Sequence, residues 1–272
     1  MRALACFLAM AVPLRAAPAK WTDGWELTDQ YRFDEARETF AHARVTSPED
    51  QRAAHLGEAN ALLNLQPRTN ANLVACVRQL QALVQEKITD DAGVAALYLL
   101  ARIEEIHRPV PDLPAAVALY TRLAESGSRH PLAQLGTVQL AMLTLYRPLT
   151  ASLPEERLAA AEAWGKRLTL PSAQGDFHLL LARSYLYFKG SKARAMEHFL
   201  EAHRLGITAD RVRADACFAT AELARETGQD EIAARFYAGF LAENPRDMRA
   251  WTARQALAAI SSPGSSPAMR AP

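Results

Sequence analysis

Two stretches, GWELTDQYRFDEARETFAHARVTSP at residues 24–48 and AELARETGQDEIAARFYAGFLAENP at 221–245, carry one pattern at opposite ends of the chain. Gly24, Ala36, Phe40, Ala43 and Pro48 are separated by 12, 4, 3 and 5 residues. Ala221, Ala233, Tyr237, Phe240 and Pro245 repeat those intervals. A small residue on one helix, followed by a small–aromatic–apolar ladder on the next, describes two antiparallel helices packed closely and repeated along the chain.

The pattern extends inward. Apolar–small steps recur at Leu56-Gly57, Leu100-Ala101, Leu135-Gly136 and Leu181-Ala182, each on the first helix of a pair. A side chain larger than alanine there would push the second helix away. The second helices supply an aromatic plug: Phe40, Tyr120, Trp164, Phe199 and Tyr237. Ala182, Ala195, Phe199 and Ala202 copy the end pattern with one extra residue in the turn.

Composition agrees. Glycine is scarce, at 12 of 272 residues, while alanine is abundant, and this balance favours helix almost throughout. Capping signals divide the chain. Ser47-Pro48-Glu49-Asp50 sets a hydroxyl, a proline and acids at a helix start. Asn244-Pro245-Arg246-Asp247 repeats the device, and Ser152-x-x-Glu155 has capping-box form. Thirteen helices are predicted, over 21–30, 33–46, 49–64, 70–87, 90–107, 112–126, 130–146, 154–169, 172–189, 191–205, 209–227, 230–244 and 247–260.

This arrangement resembles the tetratricopeptide repeat, a helix–turn–helix unit of about 34 residues. The likeness is strongest over 17–48 and 214–245, and weaker between them, where the small-residue markers are unevenly spaced. It implies an all-α fold: a right-handed α-solenoid of about six helix pairs over residues 20–260, with 247–260 as a capping helix. The remainder, 261–272, is rich in Ser and Pro and reads as disordered.

Residues 1–19, MRALACFLAMAVPLRAAPA, have an early arginine, an apolar stretch and a small-residue end, the layout of a cleaved secretory leader. The expected location is therefore the periplasm or beyond, and no later segment approaches the ~20 apolar residues of a transmembrane helix. Cys76 and Cys217 then remain, on helices far apart in the chain, and read as small buried apolar residues rather than a disulfide.

The formal net charge is +1, and loss of Arg2 and Arg15 with the leader would turn the balance faintly acidic. No basic face accompanies it, so nucleic acid is not an expected partner. The common nucleotide, serine-hydrolase and zinc-protease motifs are absent. His198 and His203, five apart on one helix, diverge by about 140° and do not converge on an ion. Asp90–Asp91 and Glu155–Glu156 begin helices, where acids offset the positive end of the macrodipole. The basic turn of Lys189, Lys192 and Arg194 reads as solvated. Neither a cofactor nor a metal is expected.

The tetratricopeptide resemblance implies that the first helix of each pair lines a groove for a peptide or partner helix. Aligning the small residues places Trp25, Glu58, Tyr98, Arg102, Thr137, Arg183, Tyr187, Glu222 and Arg225 on that face. Aromatics interspersed with arginine suit peptide recognition. The Lys/Asn/Arg set with which one subtype clamps a terminal carboxylate is missing. The expectation is a non-enzymatic interaction scaffold, with self-association through its ends also open. The alternative is an all-helical enzyme acting on an envelope carbohydrate polymer, recasting Trp25, Glu58, Tyr98 and Glu222 as a cleft.

Overall fold

The computed structural model describes residues 20–207 and 209–261. The proposed leader at 1–19 lies outside the described residues, as does all of the proposed tail except Ser261.

Among the described residues the chain forms thirteen α-helices. They are α1 (Trp21–Asp29), α2 (Phe33–His42), α3 (Pro48–Asn64), α4 (Asn70–Glu86), α5 (Asp91–Arg102), α6 (Leu113–Glu125), α7 (Pro131–Tyr146), α8 (Pro154–Gly165), α9 (Pro171–Tyr187), α10 (Lys192–Leu205), α11 (Asp210–Glu226), α12 (Asp230–Glu243) and α13 (Ala250–Ser261). A π-helical turn, Ile103–His107, prolongs α5. The all-α expectation and its thirteen elements hold.

The starts follow the predicted chemistry in part. Ser47 Oγ accepts the Asp50 N–H at 3.0 Å and caps as read, and Asp90, expected only as an acid at the helix start, accepts the Gly93 N–H at 2.8 Å and is itself a cap. Two readings are corrected. Glu156, not Glu155, reaches back to the N–H of Leu153, at 2.9 Å, while the Ser152 carbonyl and hydroxyl receive Arg157 instead. Helix α13 begins at Ala250, because 245–249 form turns in which Asp247 takes the Arg249 N–H and guanidinium.

The chain separates after Ile88 into two compact units. In the first, α1 packs on α2, α2 on α3 and α3 on α4. First helices of successive pairs also touch, α1 against α3. The second unit continues the same order from α5 to α13, with α5 meeting α7 and α7 meeting α9. Each unit is thus a run of helices packed on their sequence neighbours.

Phe40 explains the glycines. Its ring is buried between α1 and α3, and a Cβ on Gly24 or Gly57 would sit 2.7 or 2.3 Å from it. One plug therefore needs a missing side chain on its own pair and on the next. In the second unit, Gly136 of α7 likewise faces Tyr120 and Leu123 of α6. The reading of Trp164 as a plug is corrected. Helix α8 ends at Gly165, and the buried ring beside that glycine is Phe177 of α9, 2.4 Å from a would-be Gly165 Cβ. Trp164 is only partly buried, with Arg167 stacked over it at 5.5 Å.

Cys76 is fully buried and Cys217 half-buried, and neither forms a disulfide. Burial pushes the Cys76 thiol up to about 12 and that of Cys217 to about 11, so both stay protonated and inert. No helix among the described residues is long and apolar enough to cross a membrane.

Candidate functional site

The nine predicted groove residues divide between the units: Trp25 and Glu58 in the first, the other seven in the second. They have different fates. Trp25 packs edge-on against Phe40, ring centroids 5.2 Å apart, and belongs to the core of Ala36, Phe40 and Ala61. Its neighbour Trp21 also packs there and donates its indole N–H to Asp50 at 3.0 Å. Glu58 is half-buried in a cleft of α3 and α4, beside His55 and Gln79.

Thr137 leaves the candidate set. It is 2% exposed, and its hydroxyl donates to the Ala133 carbonyl at 3.0 Å within α7. Threonine on a helix can satisfy itself this way, which is how it enters a core.

Tyr98 and Arg102 surround a buried hydrogen bond. Tyr120 of α6 donates to Glu105 at 2.8 Å, and Arg102 binds the same carboxylate oxygen at 2.8 Å. The Tyr98 ring lies 6.2 Å from that of Tyr120, and burial raises its hydroxyl above the ordinary tyrosine value. Glu222 and Arg225 rebuild this arrangement on α11: Tyr237 donates to Glu222, and Arg225 binds that glutamate at 2.9 Å. Arg102, Glu222 and Arg225 thus spend polar atoms on contacts that hold helix pairs together, and Tyr98 packs beside one of them.

Arg183 and Tyr187 are different. They lie four residues apart on α9 and so share one face of the helix. Both are exposed, Tyr187 by 70%. Arg183 has no hydrogen bond or ion pair among the described residues. The Tyr187 ring sits 5.6 Å from Tyr146 and 5.0 Å from Phe188. Tyr146 in turn stacks on Phe188 at 5.6 Å, so three rings touch pairwise. A hydrogen bond of 2.7 Å between the Tyr146 hydroxyl and the buried Ser184 fixes the platform to the α7–α9 contact. Leu186, next to Tyr187, is also exposed.

Exposed rings held rigid by packing lose little entropy on binding, and an unpaired arginine beside them adds a directional charge. Sequence reading names Arg183 and Tyr187 as groove positions and does not name Tyr146 and Phe188, which the structure brings beside them. A signal was present: a tyrosine closes each of two successive first helices, α7 and α9, beyond the last core position.

No protein-family model matches this chain, and no curated protein matches it.

Proposed function

We propose that this protein is an interaction module exported to the periplasm, whose helix pairs stack in the tetratricopeptide manner and whose second unit holds a peptide or helix of a partner protein. The platform of Tyr146, Tyr187 and Phe188 beside the unpaired Arg183 carries this reading. It asks for a partner segment with an apolar or aromatic side chain to lie on the rings and a carboxylate to meet the guanidinium. The leader-like residues 1–19 support export. The near-neutral charge favours a protein over nucleic acid.

The test is crosslinking in the native host, followed by recovery of the tagged protein and mass spectrometry. A stoichiometric envelope protein is expected with the native chain, and at least tenfold less of it with Arg183→Glu or Tyr187→Ala. Unchanged recovery with both variants would rule out this platform as the docking surface. Recovery of the chain alone would favour self-association.

A further inference from the structure

Helices α8, α9 and α10 line an open cavity of about 430 Å³, within the range of small-ligand sites. Its walls divide by chemistry. Ala159, Ala163, Phe177 and Leu181 are apolar, while Lys166, His178, Arg194 and His198 are nitrogen donors, facing a single carboxylate, Glu162.

That carboxylate is already engaged. Glu162 Oε1 accepts from the Tyr185 hydroxyl at 2.6 Å, from Arg194 at 3.0 Å and from His198 Nε2 at 3.3 Å. The nitrogen pair that follows is unusual: His198 Nδ1 lies 2.8 Å from His178 Nδ1. One assignment of protons satisfies both contacts with neutral rings. His198 donates Nε2–H to Glu162, which leaves its Nδ1 bare to accept the Nδ1–H of His178. The remaining atom, His178 Nε2, holds a free lone pair and has no partner among the described residues.

A proton from solvent arriving at His178 Nε2 makes that ring an imidazolium while keeping the bond to His198. The cavity then gains a cation beside Lys166, which itself has no hydrogen bond or ion pair among the described residues. The other charges nearby are occupied. On α10, Arg194 is shared between Glu162 and Glu197, and Glu201, which faces His178, is bound to Arg204. Burial holds both histidines below their ordinary value, so the empty cavity takes up this proton poorly. An anion in the cavity would reverse that.

We propose that this cavity binds a small organic acid, one carboxylate on a compact apolar body, together with one proton taken up by the His178–His198 pair. The carboxylate lies against Lys166 and the protonated His178, and the apolar body against Ala159 and Ala163, the exposed apolar part of the lining. This site is separate from the aromatic platform and does not depend on it.

The test compares two probes of equal shape and opposite charge, cyclohexanecarboxylate and cyclohexylammonium, with sodium chloride at matched ionic strength as the reference. The ring Cε1–H signals of His178 and His198 are followed by NMR in the full mature chain. The carboxylate is expected to bind saturably, to raise the titration midpoint of the pair, and to bind about tenfold tighter at pH 5.5 than at pH 7.5. His178→Gln, checked for retained helicity, should remove the pH dependence, and Lys166→Ala should weaken binding about fivefold. Equal effects from both probes, or effects no larger than those of sodium chloride, would overturn the proposal. So would carboxylate binding that is independent of pH in the native protein, a comparison that needs no variant.

Discussion

Tyr120 and Glu105, fifteen residues apart, are joined by a hydrogen bond from the second helix of a pair back to the first, and Tyr237 and Glu222 repeat that bond at the same separation. In each case an arginine three positions from the glutamate binds the same carboxylate, from the N-terminal side in Arg102 and from the C-terminal side in Arg225. The aromatic plug thus does two things: its ring fills the space left by small residues, and its hydroxyl ties the helices in register. The two sites differ in exposure, with 6% of the Glu105 side chain accessible against 28% for Glu222. Tyr120→Phe should therefore destabilise by about 1–3 kcal/mol, because it takes a donor from a buried carboxylate. Tyr237→Phe should lose less, since water can replace the donor at Glu222. Urea unfolding of the two variants measures the difference, and equal losses would contradict the role assigned to burial.

Gly57→Ala should destabilise the first unit although alanine is the better helix former. The added Cβ would lie 2.3 Å from the Phe40 ring, and overpacking of this kind costs about 1–3 kcal/mol. Helix propensity returns at most about 1 kcal/mol, so the sign remains unfavourable. Phe40→Leu in the Gly57→Ala background should recover part of the loss, a coupling that a double-mutant cycle of unfolding free energies would detect.

What could be read from the sequence was whatever repeats locally. Gly24, Ala36 and Phe40 lie within one helical hairpin, so their spacing alone describes their contact. Spacing states which positions share a face of a helix, but not which partner each side chain finds. Trp164 has the right spacing for a plug, but it stays partly buried, and the buried ring of this cluster is Phe177 from the following helix. Trp25 and Thr137 sit at groove positions by alignment, yet one packs on Phe40 and the other bonds to its own helix. Arg183 and Tyr187 are exposed on one face of α9, as periodicity alone implies. The ring of Tyr146 joins them only because α7 and α9 touch, which spacing does not encode.

The same limit hid the histidine pair. His198 was weighed against His203 on its own helix, whereas its contact is His178, twenty residues earlier and across the α9–α10 turn. His203 instead meets the Thr220 hydroxyl at 3.2 Å and packs on Phe236.

Arg183→Glu should leave unfolding free energy within about 0.5 kcal/mol of the native chain, since the side chain is exposed and has no partner among the described residues to lose, whereas Tyr187→Ala gives up two ring contacts and should cost about 0.5–1.5 kcal/mol. Tyr146→Phe is the contrasting variant. It strips the buried Ser184 hydroxyl of its contact with Tyr146, though Ser184 keeps its own bond to the Leu180 carbonyl at 2.8 Å, so a loss of about 1 kcal/mol is expected. Stability measured beside partner recovery separates a binding role from a folding role. Substantial unfolding of Arg183→Glu would show that the exposed platform is structural.

Acid should weaken the second unit before its carboxylates titrate. Burial lowers the proton affinity of His178, His198 and His203 in the folded chain, while the unfolded chain takes up protons at the ordinary histidine value near 6.5. Above about pH 6.5 neither state is protonated and the full stability is present. As pH falls below it the unfolded state binds more protons, so stability declines until the folded pKa values are passed. The carboxylates act lower down. Asp247, held at about 2 by hydrogen bonds from Arg249, loses its contribution only as pH drops from the ordinary carboxylate range towards that value. Melting temperatures at pH 7.5, 6.5, 5.5 and 4.5 should therefore be level across the first step and fall over the next two. The His178→Gln, His198→Gln double variant should flatten that fall, leaving the smaller contribution of His203. A native profile level down to pH 5 would mean that the paired rings accept protons as readily as the unfolded chain does, and would contradict the neutral hydrogen-bonded pair.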